Sequence, residues 1–324
     1  MIRRGTFAVG LALLLAGMAA SNAVGAPKPG QLDGLKTPLG KSGFRKLAPG
    51  VETTIPILRS EEETHDVHNV VELVPGVPNL KWTPYDVSLS KTLHSKAQKV
   101  TFRRPIWNLE FTFKPMRMIW VDVPQPNGKL QRKLIWYLVY RVKNSGRHMK
   151  PVRQAKGSYK VQLDDNVGNV ANNTRLHFFP HFVLESHEFN NKGYLDRLVP
   201  TAIGPIQKRE DPKRRLLNSV QMSRISIPIS TKREDNSVWG VATWENVDPK
   251  IDFFSVYIRG LTNAYRWKDR PELVKPGVPP GTGRSYKRRT LRLNFWRPGD
   301  QFLQHEKEFR FGIPGKVDHE WVWR

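Results

Sequence analysis

Residues 107–123, WNLEFTFKPMRMIWVDV, carry the clearest structural pattern in the chain. Large apolar side chains occupy odd positions, whereas the even positions include polar and charged residues, among them Asn108, Glu110, Thr112, Lys114 and Asp122. An alternation with a period of two residues predicts a β-strand that buries one face. Pro115 has no N–H to donate to a strand ladder, so we expect a bend there between two strands or within one kinked strand.

The segments that follow predict a hairpin and a central strand. Residues 124–128, PQPNG, combine the residue types that favour a turn. Residues 134–140, LIWYLVY, are apolar at both odd and even positions, which is typical of a strand covered on both faces. The turn-forming triplet Asn144, Ser145 and Gly146 predicts the end of that strand.

Similar apolar runs, separated by Pro, Gly, Asn and Asp, recur at residues 174–184, 224–230, 238–244, 251–258 and 290–296. Helical periodicity is confined to two short candidates, residues 85–96 and 212–220. Many short strands at this spacing predict an all-β protein. We expect an extended antiparallel β-sandwich with few short helices.

Residues 1–26 have the pattern of a secretory signal peptide. Arg3 and Arg4 precede an apolar run at residues 7–20 that is shorter than the ~20 residues a membrane-spanning helix needs. Small residues predict cleavage after Ala23 or Ala26. We therefore expect a periplasmic or secreted protein whose mature chain has no transmembrane segment.

The remaining chain divides by composition. Residues 27–50 are rich in Gly, Pro and Lys and predict a flexible leader. Residues 51–324 are expected to form the β-sandwich domain. A subdivision near residues 200–215, a basic stretch, is the alternative that chain length does not decide.

Charge and cysteine content limit the classes of function. The chain has no cysteine, which excludes disulfides, thiolate metal sites and cysteine nucleophiles. It has 53 Lys and Arg against 29 Asp and Glu, a formal net charge of +24. In an exported protein this favours an anionic polysaccharide, lipopolysaccharide or another envelope component as partner, and nucleic acid is unlikely there. The alternative is that the charge serves solubility alone.

Candidate binding residues are aromatic or basic. The tryptophans with polar neighbours or a place near the terminus are the expected surface platforms for sugars: Trp120, Trp267 and Trp323. The basic run that could attract an acidic ligand contains Arg284, Lys287, Arg288 and Arg289. The competing interpretation is that tryptophans pack in a β core and that basic clusters are solvated.

A metal site and a catalytic site are weaker hypotheses. His177 and His181 share one face of a predicted strand, but four residues of strand separate them by roughly 13 Å, so one ion would need ligands from another element. No cofactor is expected. Two close carboxylates would suit a polysaccharide hydrolase, with candidates Glu110, Asp122, Glu185, Asp196, Glu245, Asp248 and Asp252. In so basic a chain, most of them are expected to pair with Lys or Arg.

Three segments, residues 135–142, 239–244 with 260–265, and 293–300, resemble a family of exported proteins from planctomycete-type bacteria. The resemblance implies a bacterial envelope setting and carries over neither an activity nor site residues. The leading hypothesis is a non-catalytic envelope protein with a binding or structural role. A polysaccharide hydrolase and a metal-binding periplasmic protein are the alternatives.

Overall fold

Strands dominate the computed structural model, which describes residues 47–57, 64–68, 100–155, 158–164, 175–273, 283–298 and 308–324. Within these residues there are two α-helices, α1 (Pro200–Glu210) and α2 (Ser219–Ser223), and two 3-10 turns, Phe189–Asn191 and Pro271–Leu273. The strands are β1 (Thr53–Ile55), β2 (His65–His68), β3 (Val100–Arg103), β4 (Ile106–Phe113), β5 (Arg117–Pro124), β6 (Leu130–Arg153), β7 (Tyr159–Asp164), β8 (Arg175–His177), β9 (His181–Ser186), β10 (Gly193–Leu195), β11 (Ser226–Pro228), β12 (Val238–Trp244), β13 (Phe253–Arg259), β14 (Tyr265–Asp269), β15 (Arg284–Trp296), β16 (Arg310–Phe311) and β17 (His319–Trp323). The predicted all-β class is confirmed.

Two antiparallel sheets form the body of the protein. The first sheet contains β1, β4, β5, β6, β7 and β12, and the second contains β9, β10 and β13 to β17. Two further strand pairs, β8 with β11 and β2 with β3, lie outside them. Both large sheets contribute to one apolar core, so their inner faces pack against each other as in a sandwich.

Aromatic rings fill the space between the sheets. From the first sheet, Tyr140 packs against Phe182 of the second with ring centroids 4.9 Å apart, and Trp136 packs against Phe254 at 5.4 Å. All four side chains are fully buried. Burial of each such side chain contributes roughly 1.5–3 kcal/mol, so the core depends on these rings.

The central strand β6 is covered on both faces, as its sequence predicts. Trp136, Leu138 and Tyr140 belong to the core between the sheets. The intervening residues of the strand pack with α1 in a second apolar cluster that includes Ile135, Tyr137, Val139, Ala202 and Ile206. Alternate side chains of one strand therefore serve two different layers.

The hairpin and the break at Pro115 are confirmed, but the predicted strand end at residues 144–146 is wrong. β6 continues to Arg153 and bulges at this triplet, where Gly146 has a φ of 71°. The Gly146 N–H donates to the Asn144 side chain at 3.0 Å, and the register against β4 shifts between Trp107 and Leu109. Turn-forming residues can mark a bulge as well as a strand end.

The helix and strand limits need two corrections. The prediction of a helix over residues 212–220 is wrong, because α1 ends at Glu210 and α2 begins at Ser219 after the capping residue Asn218. The run at residues 174–184 is two strands, β8 and β9, which pair with different partners on either side of Pro180. The helix candidate at residues 85–96 lies outside the described residues.

The signal peptide and all but the last four residues of the leader also lie outside the described residues. The described residues belong to one compact unit that spans residues 34–324. In this part of the chain, neither helix is long and apolar enough to cross a membrane.

Candidate functional site

A cleft of about 650 Å³ lies at one end of the second sheet, where aromatic and basic side chains meet. We call it the arginine cleft. The side chains important for its chemistry come from β4 of the first sheet, the linker between β8 and β9, and strands β9, β13, β14 and β15. They are Trp107, Phe179, His181, Arg259, Tyr265, Tyr286 and Arg288.

The loop between β13 and β14 forms one side of the cleft and is tied to β4. The Leu109 N–H donates to the Leu261 carbonyl at 2.7 Å. The Asn263 side chain accepts from the Trp107 N–H at 3.0 Å and donates to the Pro105 carbonyl at 2.9 Å. These bonds hold Trp107 of the first sheet beside the loop of the second.

Gly260 allows this loop to approach the linker that carries Phe179. Its φ of 102° lies in the region that favours glycine. A Cβ at this position would overlap the Phe179 carbonyl oxygen and would lie 3.2 Å from the Phe178 ring. The close approach therefore requires glycine, and it leaves the Phe179 ring 65% exposed.

The β14–β15 ribbon provides an aromatic wall. Trp267 lies opposite Tyr286 in the strand register, and Tyr265 lies opposite Arg288, so all four side chains share one face. The Tyr286 ring is 5.9 Å from the Trp267 ring and 6.1 Å from the Tyr265 ring, between centroids. Arg104 stacks over Tyr265 at 3.9 Å and donates to its carbonyl oxygen. The wall is thus fixed by neighbouring strands, and Tyr286 remains 57% exposed.

Arg259 is a half-buried cation with little compensation from the protein. Burial is the largest cause that lowers its pKa, followed by the positive charges of Arg288 and Arg324. Its Nε is buried and has no hydrogen-bond partner in the described part of the chain. Among the described residues no carboxylate forms an ion pair with Arg259 or Arg288, whereas Arg324 pairs with Glu185 at 2.6 Å. This end of the cleft is therefore suited to an anion.

His181 lies directly opposite Arg259 in the pairing of β9 with β13. Burial and the Arg259 charge lower the pKa of the imidazole, and Arg324 adds to this, while Asp196 opposes it. The pKa of the Asp196 carboxyl is itself raised, chiefly by burial, although the Ser219 hydroxyl donates to it. The imidazole is therefore mainly neutral near pH 7.

The structure brings some of the residues singled out from the sequence to the cleft. Arg288 and His181 line it. Trp267 belongs to the aromatic wall, and the Arg284 guanidinium stacks over it at 4.0 Å. His177 stacks beside Phe179, with ring centroids 6.1 Å apart. In the described ranges, no group of three or more His, Cys, Asp or Glu side chains is arranged to hold a metal ion.

Other candidates lie elsewhere. Trp323 stacks with Arg266 at 4.3 Å and with Arg289 at 5.0 Å. Arg266, Lys287 and Arg289 lie on the face of the β14–β15 ribbon opposite the aromatic wall. Arg289 is only 4% exposed, whereas Lys287 is exposed. Trp120 is 57% exposed on β5 of the first sheet and does not line the cleft. The basic run therefore divides between two faces because it forms a strand.

Sequence reasoning missed Phe179, Arg259, Tyr265 and Tyr286 as site residues. One signal was present for Phe179, since it is a large apolar residue at a polar position of the alternation that also includes His177 and His181. Arg259, Tyr265 and Tyr286 lie on β13, β14 and β15, and all three are distant in sequence from Phe179. Their convergence depends on the pairing of β13, β14 and β15.

Several of the carboxylates considered for catalysis form ion pairs. Glu185 pairs with Arg324, Glu245 pairs with Lys133, and Asp252 lies 3.8 Å from Arg297. Among the described residues that line the arginine cleft, none is acidic. The side chains present there can bind an anion and stack on a flat ligand.

Comparison of the chain with protein-family models, curated proteins and solved structures gave no match.

Proposed function

We propose that this protein is a non-catalytic, exported protein of the bacterial envelope that binds an anionic glycan in the arginine cleft. The observation that carries the proposal is the placement of Arg259 and Arg288, without a carboxylate partner in the described structure, beside exposed aromatic rings. Guanidinium groups bind carboxylates and sulfates through paired, charge-assisted hydrogen bonds. An acidic substituent of a sugar would supply the missing negative charge.

The exposed rings favour a sugar over a free anion. Phe179 and Tyr286 are large apolar surfaces that line the cleft yet remain mostly exposed. A pyranose presents a face of C–H groups that packs on such rings, while its hydroxyls remain hydrated. The combination of stacking surface and cation therefore suits an acidic polysaccharide better than an inorganic ion.

Binding is also better supported than hydrolysis. A carboxylate hydrolase needs two acidic side chains on either side of the scissile bond. Glu185, Glu245 and Asp252 are engaged by Arg324, Lys133 and Arg297. The side chains that do line the cleft are suited to recognition.

The test measures the affinity of the purified protein for four oligomers of equal length: a sulfated glycan, a polyuronate, a neutral glycan and single-stranded DNA. Arg259→Gln removes one charge from the cleft, and Arg132→Gln removes one from an exposed position on β6 as the matched control. We expect binding of the acidic glycans and a loss on the order of tenfold or more in Arg259→Gln, since a hydrogen bond to a charged group is worth ~1.5–3 kcal/mol. Arg132→Gln should bind like the unmodified protein.

Three outcomes would contradict this proposal. Equal weakening by both substitutions would mean that only general charge attracts the ligand. Equal affinity for the neutral glycan would remove the role of the arginines. Tighter binding of DNA than of either acidic glycan would identify the cleft as a nucleic-acid site instead.

A further inference from the structure

Three nitrogen-bearing side chains converge on the cationic end of the arginine cleft. His181 on β9 and Arg259 on β13 are directly opposite each other in the sheet, and both line the cleft together with Arg288 of β15. The two arginines are charged at all ordinary pH values, whereas an imidazole adds a charge only when it is protonated. The positive charge of the site therefore depends on whether His181 is protonated.

We propose that His181, Arg259 and Arg288 form a single oxyanion site, and that uptake of a proton by His181 strengthens its hold on the acidic group of the ligand. This inference rests on the proposed function and specifies how the same cleft is regulated. The acidic group is a carboxylate or a sulfate ester, since both present oxygens that two guanidinium groups and an imidazolium can share.

The charged groups around His181 support this coupling. Arg259 approaches from β13 and Arg324 from the residue after β17, and both oppose a charge on the imidazole, while Asp196 after β10 favours it. Glu185, on the same strand, is engaged by Arg324. A bound oxyanion would offset the repulsion from Arg259 and would thereby favour the charged imidazole.

Thermodynamic linkage gives the direction of the effect. Burial and Arg259 keep the pKa of His181 in the free protein below its ordinary value of 6.5. A bound anion raises it, so binding is accompanied by proton uptake in the pH range between the two values. Affinity therefore rises as the pH falls through that range, by at most about tenfold per pH unit for one proton.

The experiment follows the affinity of a short sulfated oligosaccharide from about pH 8 to about pH 5, a range in which sulfate esters stay ionised while an ordinary imidazole titrates. Unmodified protein, His181→Gln and His177→Gln are compared. His177 is an exposed histidine that stacks beside Phe179 without lining the cleft, and it serves as the control for pH dependence: a change in affinity through Phe179 would be the same at every pH. We expect affinity to increase about fivefold or more toward low pH in the unmodified protein and in His177→Gln. In His181→Gln the affinity should stay nearly constant.

A second measurement does not depend on any substitution. The NMR titration of the His181 imidazole in the unmodified protein should move to higher pH when the sulfated oligosaccharide is bound. An unchanged titration, or equal pH dependence in His181→Gln and the unmodified protein, would overturn the inference while leaving glycan binding intact. Failure of the unmodified protein to bind at any pH would overturn the proposed function as well.

Discussion

Gly260 sets how closely the loop after β13 can approach the Phe179 linker. We predict that Gly260→Ala is markedly destabilising, because the new Cβ would overlap the Phe179 carbonyl in a backbone conformation with φ of 102°. Gly128→Ala is the matched control, since its φ is 77° and its added Cβ would have no neighbour within 4 Å.

Urea unfolding would measure both glycine variants. A positive φ costs ~1–2 kcal/mol for a residue with a Cβ, so Gly128→Ala should lower the free energy of unfolding by that amount. Gly260→Ala should cost clearly more, and it should also weaken glycan binding because it moves Phe179. Equal losses in the two variants would show that the close approach at Gly260 has no role.

Single residues of the cleft illustrate what sequence can reveal about a site. Arg288 belongs to a basic run that is visible in the sequence, and Phe179 interrupts a polar face. Arg259 has no comparable signal, because its unusual property is to lie half-buried beside Arg288 and Arg324 with no carboxylate partner among the described residues. That property is created by neighbours from β15 and the end of β17, which no local pattern describes.

At the scale of elements, β6 and α1 differ in how well the sequence predicts them. Continuous apolar character over residues 134–140 predicts a strand covered on both faces, and this is confirmed. α1 escapes prediction because Pro205 lies inside it and its first residue is also proline. Packing outweighs its low intrinsic helix propensity, since Ala202 and Ile206 are fully buried against the outer face of β6.

The contacts at the end of α1 reinforce this packing. The Lys114 amino group donates to the Glu210 carbonyl oxygen at 2.9 Å, which places a positive charge at the C-terminal end of the helix. The Glu210 carboxylate accepts from the Tyr137 hydroxyl at 2.7 Å and from Arg117 at 3.0 Å. The helix is therefore held both by apolar packing and by polar contacts with the first sheet.

We predict that Ile206→Ala lowers the free energy of unfolding by about 2–4 kcal/mol, because it leaves a cavity between α1 and β6. Lys208→Ala, at an exposed position of the same helix, should change it by less than about 0.5 kcal/mol. Chemical unfolding of the two variants measures the difference. A small effect of Ile206→Ala would mean that α1 does not depend on this packing.

For the molecule as a whole, the net charge of +24 creates a field that attracts any polyanion. That field is screened beyond ~10 Å at 0.1 M salt, whereas a contact in a partly buried cleft is screened less. We therefore predict that Arg259→Gln still binds a long sulfated polysaccharide more weakly than the unmodified protein when salt is raised from about 0.05 M to about 0.5 M, whereas any loss of affinity in Arg132→Gln disappears over the same range. Titrations at both salt concentrations measure the two losses, and a loss in Arg259→Gln that disappears at high salt would argue against specific binding in the cleft.

The sequence by itself determined the all-β class, the hairpin after Pro115 and the double coverage of β6, because these follow from the alternation and turn chemistry of neighbouring residues. Three statements from the sequence stay predictions: that the protein is exported, that residues 27–50 form a leader, and that residues 135–142 and two other segments place the chain near an envelope family. Only the tertiary structure decided that Phe179, Arg259, Tyr286 and Arg288 share a cleft. The physical reason is that strand pairing between distant segments, together with the close approach at Gly260, sets which side chains meet and how much charge is left without a partner.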